Sequence, residues 1–159
     1  MFKSKLVTAV AATVLSTLVA LPAQAVVTRT YFEQTVNFQY IDGGAPGRGV
    51  GDTLIFDNIL INQTTGQVEG TKSNDCDTIW QDPSNGDFWS WCEETIYLSN
   101  GTLVVRGLFN EIAFEAFQPQ TVFIVNGTGY WKKALGYETI QQVRFPDQAV
   151  STIVVLNKN

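Results

Sequence analysis

The 159-residue chain has no histidine, two cysteines, one methionine, and ten basic side chains against fifteen acidic ones. Without an imidazole there is no Ser-His-Asp triad, no Cys-His nucleophile, no HExxH zinc site and no His-based facial triad. Any catalysis must use carboxylate, tyrosine, lysine, thiol or amide groups. Scarce Lys and Arg argue against nucleic acid as a partner, because affinity for phosphate backbones comes chiefly from clustered cations, and only Lys132 and Lys133 are neighbours. Long apolar runs are also missing beyond the N-terminus, so no membrane partner is expected once the leader described next is removed.

Residues 1–25 read as a signal peptide. Lys3 and Lys5 supply a positive start, Leu6 to Leu21 an apolar stretch of 16 residues, and Ala23-Gln24-Ala25 a small-residue cleavage signal. The stretch falls short of the roughly 20 residues of a spanning helix and is closed by Pro22. Residues 26–159 then form one mature domain of 134 residues with a formal charge of -7, eight basic groups against fifteen acidic. A secreted or periplasmic location follows, and with it an oxidised cystine.

Cys76 and Cys92 flank fifteen residues centred on Ser84, inside the turn-rich Asp82-Pro83-Ser84-Asn85-Gly86-Asp87. If that stretch is a hairpin tip with an odd-numbered loop, residues whose numbers sum to 168 face each other. Cys76 then faces Cys92, and a cross-strand staple is expected. The same rule sets Trp80 against Phe88 and Ile79 against Trp89. Asp82, Ser84, Asn85 and Asp87 bring oxygens together at the tip, but their spacing completes no calcium loop, and a solvated acidic hairpin is the better reading. No metal and no cofactor is called for.

Turn signals recur at short intervals along the mature chain. They separate strands over 28–42, 52–62, 67–80, 88–98, 102–110, 121–125, 136–145 and 149–156, with a looser segment through Phe114, Phe117 and Pro119. Eight antiparallel strands with short connections fit a closed, all-β, up-and-down barrel, because closure removes exposed edges. A two-sheet sandwich is the structural alternative. An eight-stranded barrel is either filled by its own side chains or holds one small ligand. A cavity above about 300 Å³ would favour a ligand, and tight packing would exclude one.

Several segments, in order, resemble the allene oxide cyclase-like and dirigent barrel superfamily. They are Val50-Gly51-Asp52-Thr53-Leu54-Ile55-Phe56-Asp57-Asn58-Ile59-Leu60 with Gly66 and Gly70, and the hairpin Tyr97 to Gly107 around Asn100-Gly101-Thr102-Leu103. The block Ile124 to Trp131 around Gly127-Thr128-Gly129, the segment Ala134 to Tyr137, and Gln141-Gln142-Val143-Arg144-Phe145-Pro146 complete the set. The resemblance implies a barrel whose apolar lumen takes a small apolar or phenolic molecule, acting as a cofactor-free cyclase, isomerase or stereo-directing protein. The alternatives are a non-catalytic carrier and a filled barrel serving as a secreted interaction module.

By the resemblance, the family's strand-two asparagine matches Asn58, preceded by Phe56. Its first-strand glutamate falls near Asn37, its strand-three cysteine near Lys72 and its strand-five tyrosine on Phe109, none of which keeps the family residue. Plant-type allene oxide cyclisation is therefore not implied. The candidate ligand-binding residues are Asn37, Gln39, Leu54, Phe56, Asn58, Lys72 and Phe109, with Cys76 and Cys92 as the disulfide and no catalytic residue assigned. A homo-oligomer is compatible with these features and required by none.

Overall fold

A computed structural model describes residues 25–158. The expected signal peptide therefore lies outside the described residues except for Ala25. Eight strands close into a barrel in chain order: β1 Ala25–Ile41, β2 Thr53–Asn62, β3 Val68–Gln81, β4 Phe88–Leu98, β5 Gly101–Asn110, β6 Gln120–Gly127, β7 Gly136–Arg144 and β8 Gln148–Lys158. Each strand pairs antiparallel with the next, and β8 returns to β1. The sandwich alternative is thereby excluded. The looser segment after β5 contains a short helix, α1 Glu111–Glu115, because Asn110 accepts a hydrogen bond from the Ala113 N–H at 2.9 Å and caps its first turn.

Alternation along the strands stacks the interior in three layers. At one end Tyr31, Leu60, Ile96, Leu103, Val155 and Trp131 form an apolar plug. One inward position further along their strands come Glu33, Asn58 and Glu94, level with Lys72 on β3 and Glu138 on β7. Beyond that charged layer Phe38, Leu54, Phe56, Cys76 and Phe109 line an open cavity beneath α1. The expectation of an apolar lumen thus holds for the two ends and fails in the middle.

Two of the register shifts reset the expected pairings. In β1 the register jumps between Thr35 and Asn37, so Val36 is an extra residue and the inward set changes from Tyr31, Glu33 and Thr35 to Phe38. In β3 the register shifts between Thr78 and Trp80. The 168 rule holds from Gly70 opposite Leu98 through Cys76 opposite Cys92 to Thr78 opposite Ser90. Past the bulge at Ile79, Trp80 faces Trp89 and Gln81 faces Phe88, which corrects both aromatic pairings expected at the tip. The tip oxygens are occupied as turn caps: Asp82 accepts from Ser84 N and Oγ, Asn85 from Asp87 N, and Asp87 from Asn110 Nδ2.

Glycine is required at the turn after β6. A Cβ on Gly127 would lie 2.3 Å from the Trp131 carbonyl oxygen, and Gly129 has a φ of 56°. The Gly127-Thr128-Gly129 block is therefore a tight turn that seats Trp131, whose Nε1 donates to Asn100 Oδ1 at 2.8 Å.

Cys76 and Cys92 form a disulfide across adjacent strands with Cα atoms 4.0 Å apart. Because it ties a short loop, the double variant Cys76→Ala/Cys92→Ala should lose about 3 kcal/mol of stability. Urea unfolding followed by tryptophan fluorescence checks this, and an unchanged midpoint would contradict it.

Candidate functional site

The cavity measures about 150 Å³ and is bounded by β1 to β5, β7, the start of β8, α1 and the turn between β7 and β8. That is about half the 300 Å³ expected of an ordinary ligand site, yet space of this order accepts a single aromatic ring. Five phenylalanines line it: Phe38, Phe56, Phe109, Phe114 and Phe145. Phe38 and Phe56 stack with centroids 5.0 Å apart, and Phe109 meets Phe114 edge to face at 4.8 Å.

Below the cavity lies the charged layer. Lys72 Nζ is fully buried, 2.8 Å from Glu33 Oε1, 3.2 Å from Glu138 Oε1 and 3.4 Å from Glu94 Oε2. Asn58 Nδ2 donates to the other Glu33 oxygen at 3.1 Å. Glu33 and Glu94 also border the cavity, whereas Lys72 and Glu138 do not. One ammonium cannot neutralise three carboxylates, and burial penalises every surplus charge. Burial therefore pushes the Glu138 carboxyl up to about 7, with Lys72 opposing the shift and Glu94 adding to it. Burial raises Glu33 as well, against the pull of Lys72. For Lys72 burial acts downward, but Glu138, Glu33 and Glu94 outweigh it and hold the ammonium charged well above its ordinary range. The layer stores a proton on carboxyl oxygen near neutral pH, a state suited to acid-base work.

A second polar group closes the α1 side. Glu111, the first residue of α1, is buried and accepts from Thr78 Oγ1 at 2.7 Å, from Ser90 Oγ, and from Arg48 Nη2 at 2.6 Å. Arg48 also reaches Glu115 at 3.0 Å and lies over the Phe88 ring. This arginine belongs to the glycine-rich connection between β1 and β2, so the pair ties that loop to α1 across the barrel mouth. Asp52 anchors the base of the same loop, accepting from Tyr40 Oη at 2.6 Å and from the Gly43 and Gly49 N–H groups.

The description "Allene oxide cyclase barrel like domain" matches residues 32–156. The chain belongs to that family. Among solved structures, pyocyanin demethylase is 29% identical, covering 81% of this chain and 99% of its own, with a TM-score of 0.68. The Diels-Alderase AbmU from Streptomyces koyangensis shares the fold at 17% identity and a TM-score of 0.72, over 82% of this chain and 63% of its own. A pterocarpan synthase dirigent protein shares it at 13% identity and a TM-score of 0.68, over 87% of this chain and 99% of its own. No curated protein matches the sequence.

Of the residues the sequence singled out, Leu54, Phe56, Asn58 and Phe109 border the cavity and Lys72 sits in the layer beneath it. Asn37 and Gln39 do not point inward. Both are exposed on the outer wall, where Asn37 donates to Asp57 at 2.9 Å. The bulge at Val36 is the cause: uninterrupted alternation would have carried 31, 33 and 35 on to 37 and 39. Glu33, a β1 residue that the sequence did not single out, is the carboxylate that faces Asn58. Glu94 and Glu138 were also missed as partners of Lys72, whereas Glu111 was among the candidates for proton transfer, with Asp52, Asp57, Tyr40, Tyr97 and Arg144. The one available signal was Lys72 itself, a lone cation among the acids of residues 69–94 at the same strand parity as Cys76.

Two outcomes follow from the charged layer. Lys72→Met leaves the carboxyls without a counter-ion and should cost about 3–5 kcal/mol, more at pH 8 than at pH 5, where protonation relieves the repulsion. In the native protein, Glu138 and Glu33 bind protons more tightly folded than unfolded, so stability should fall as pH rises from about 4.5 through 7. Urea midpoints across that range test this. Glu138→Gln should flatten the slope, and a native midpoint that rises with pH would contradict the assignment.

Proposed function

We propose that this chain is an exported barrel that binds a small apolar or phenolic molecule in the cavity beneath α1 and directs its cyclisation or isomerisation, with its own carboxyls as acid and base. The observation that carries the reading is the contact between an aromatic-lined cavity and the carboxyl layer, with Glu33 and Glu94 belonging to both. The aromatic walls fix the orientation of a bound ring, which lowers the entropic part of a barrier. Glu33, aligned by Asn58 and Lys72, stabilises positive charge that develops on the substrate, and a low-dielectric site strengthens that effect. Glu94 exchanges a proton with the substrate, while Glu138 behind it keeps one in reserve near neutral pH. Lys72 is a positioning residue in this scheme. It does not border the cavity.

Pyocyanin demethylase, the Diels-Alderase and the dirigent protein are named for reactions of organic small molecules, which supports a lumen site here without specifying the substrate. Export is supported by the leader pattern of residues 1–25 and by the Cys76–Cys92 disulfide. The modest cavity volume favours one specific alternative, carriage of a single-ring molecule without turnover.

Incubation of the purified protein with phenolic and epoxy-polyene probes, followed by chiral chromatography, separates these readings. The expected result is a product enantiomer ratio shifted from the uncatalysed one, a rate about a hundredfold lower in Glu33→Gln with binding retained, and loss of both in Phe56→Trp. Binding with no change in any ratio would establish carriage. Absence of both binding and turnover would remove the lumen as a site.

A further inference from the structure

We propose that the cavity selects a small organic cation such as a protonated amine and rejects carboxylates. This deepens the lumen-binding reading and rests on it. The first ground is charge. Glu33, Glu94, Glu111 and Glu115 are the ionisable side chains that border the cavity among the described residues, and each is an acid. The two nearby cations are committed elsewhere: Lys72 to Glu33, Glu94 and Glu138, and Arg48 to Glu111 and Glu115. Four carboxyls thus border the space, Glu138 lies behind them, and two positive charges serve all five.

The second ground is independent of charge. Asn58 Oδ1 and Gln142 Oε1 belong to side chains that border the cavity and are over nine-tenths buried, and neither oxygen has a hydrogen-bond partner among the described residues. Both amides are held with the oxygen free, since Asn58 Nδ2 donates to Glu33 and Gln142 Nε2 donates to the Arg144 carbonyl. A buried acceptor without a donor is costly, and the surroundings of the cavity are therefore rich in acceptor oxygen, whose negative potential favours positive charge nearby. The third ground is the ring of phenylalanines. Their negative π faces attract an organic cation, and burial strengthens the attraction. An anion would meet acidic side chains and an excess of acceptor oxygen.

Three probes of nearly equal shape separate the possibilities: phenethylamine, 2-phenylethanol and 3-phenylpropionate, titrated calorimetrically into the exported chain at neutral pH. The amine should bind at least about tenfold more tightly than the alcohol, and the carboxylate most weakly. Glu94→Gln should shrink the amine's advantage while leaving the alcohol unchanged, with Glu111→Gln as the second variant should the first fail to fold. Phe56→Trp, which fills the cavity, should abolish binding of all three. Equal binding of alcohol and amine, tighter binding of the carboxylate, or an advantage undiminished in both glutamine variants would overturn the cation assignment while leaving lumen binding in place. Failure of all three probes to bind would overturn the lumen reading together with this inference.

Discussion

The ammonium of Lys72, enclosed by Glu33, Glu94 and Glu138, is the constraint around which the rest of the barrel is arranged. Burying four ionisable groups costs several kcal/mol for each ion unless partners are close and well oriented. Here they are supplied by four different strands, β1, β3, β4 and β7, so the layer is complete only when the barrel has closed. It separates a filled end from an open one. Below it Trp131 and Tyr31 seal the interior, and above it the phenylalanines leave space. A barrel filled throughout with apolar side chains would gain stability but would have no proton to exchange.

Bulges decide what that layer and the cavity contain. Val36 shifts β1 by one residue, so Glu33 and Phe38 both face inward although their numbers differ in parity. Without it Asn37 would replace Phe38, and the cavity would lose half of the Phe38–Phe56 stack. The bulge at Ile79 acts differently. It rotates the tip of the β3–β4 ribbon, pairs Trp80 with Trp89, and leaves the registered stretch from Gly70 to Thr78 free to carry Lys72 and the cystine. The bulge at Ile79 lies just outside the segment whose alternation the site needs, and that at Val36 lies within such a segment.

Membership of the allene oxide cyclase-like family explains the architecture and leaves the chemistry to the lining residues, because one fold hosts many reactions. The structures it resembles are named for demethylation, cycloaddition and dirigent-type synthesis. In this chain the ionisable side chains that line the cavity are acids. Glu111 and Glu115 at the α1 side and Glu33 and Glu94 at the floor give the cavity one sign of charge on two opposite boundaries. The Arg48 contact with α1 links that charge to the loop over the mouth.

Local chemistry was legible in the sequence: the eight strands between glycine-rich and Asn-Gly turns and the Cys76–Cys92 pairing by hairpin symmetry, whereas Asn58 came from the family resemblance. These depend on period-two alternation and on turn residues, both of which act within a few positions along the chain. The partners of Lys72 were not legible, since Glu33 is 39 residues away and Glu138 is 66, and only closure of β8 onto β1 brings them together. Nor was the bulge at Val36, which leaves no mark in a strand where both faces carry aromatic and polar residues. One unpaired residue there reverses the inward and outward faces of the rest of β1, so which side chains meet a ligand is a property of register, and register is set by the neighbouring strands.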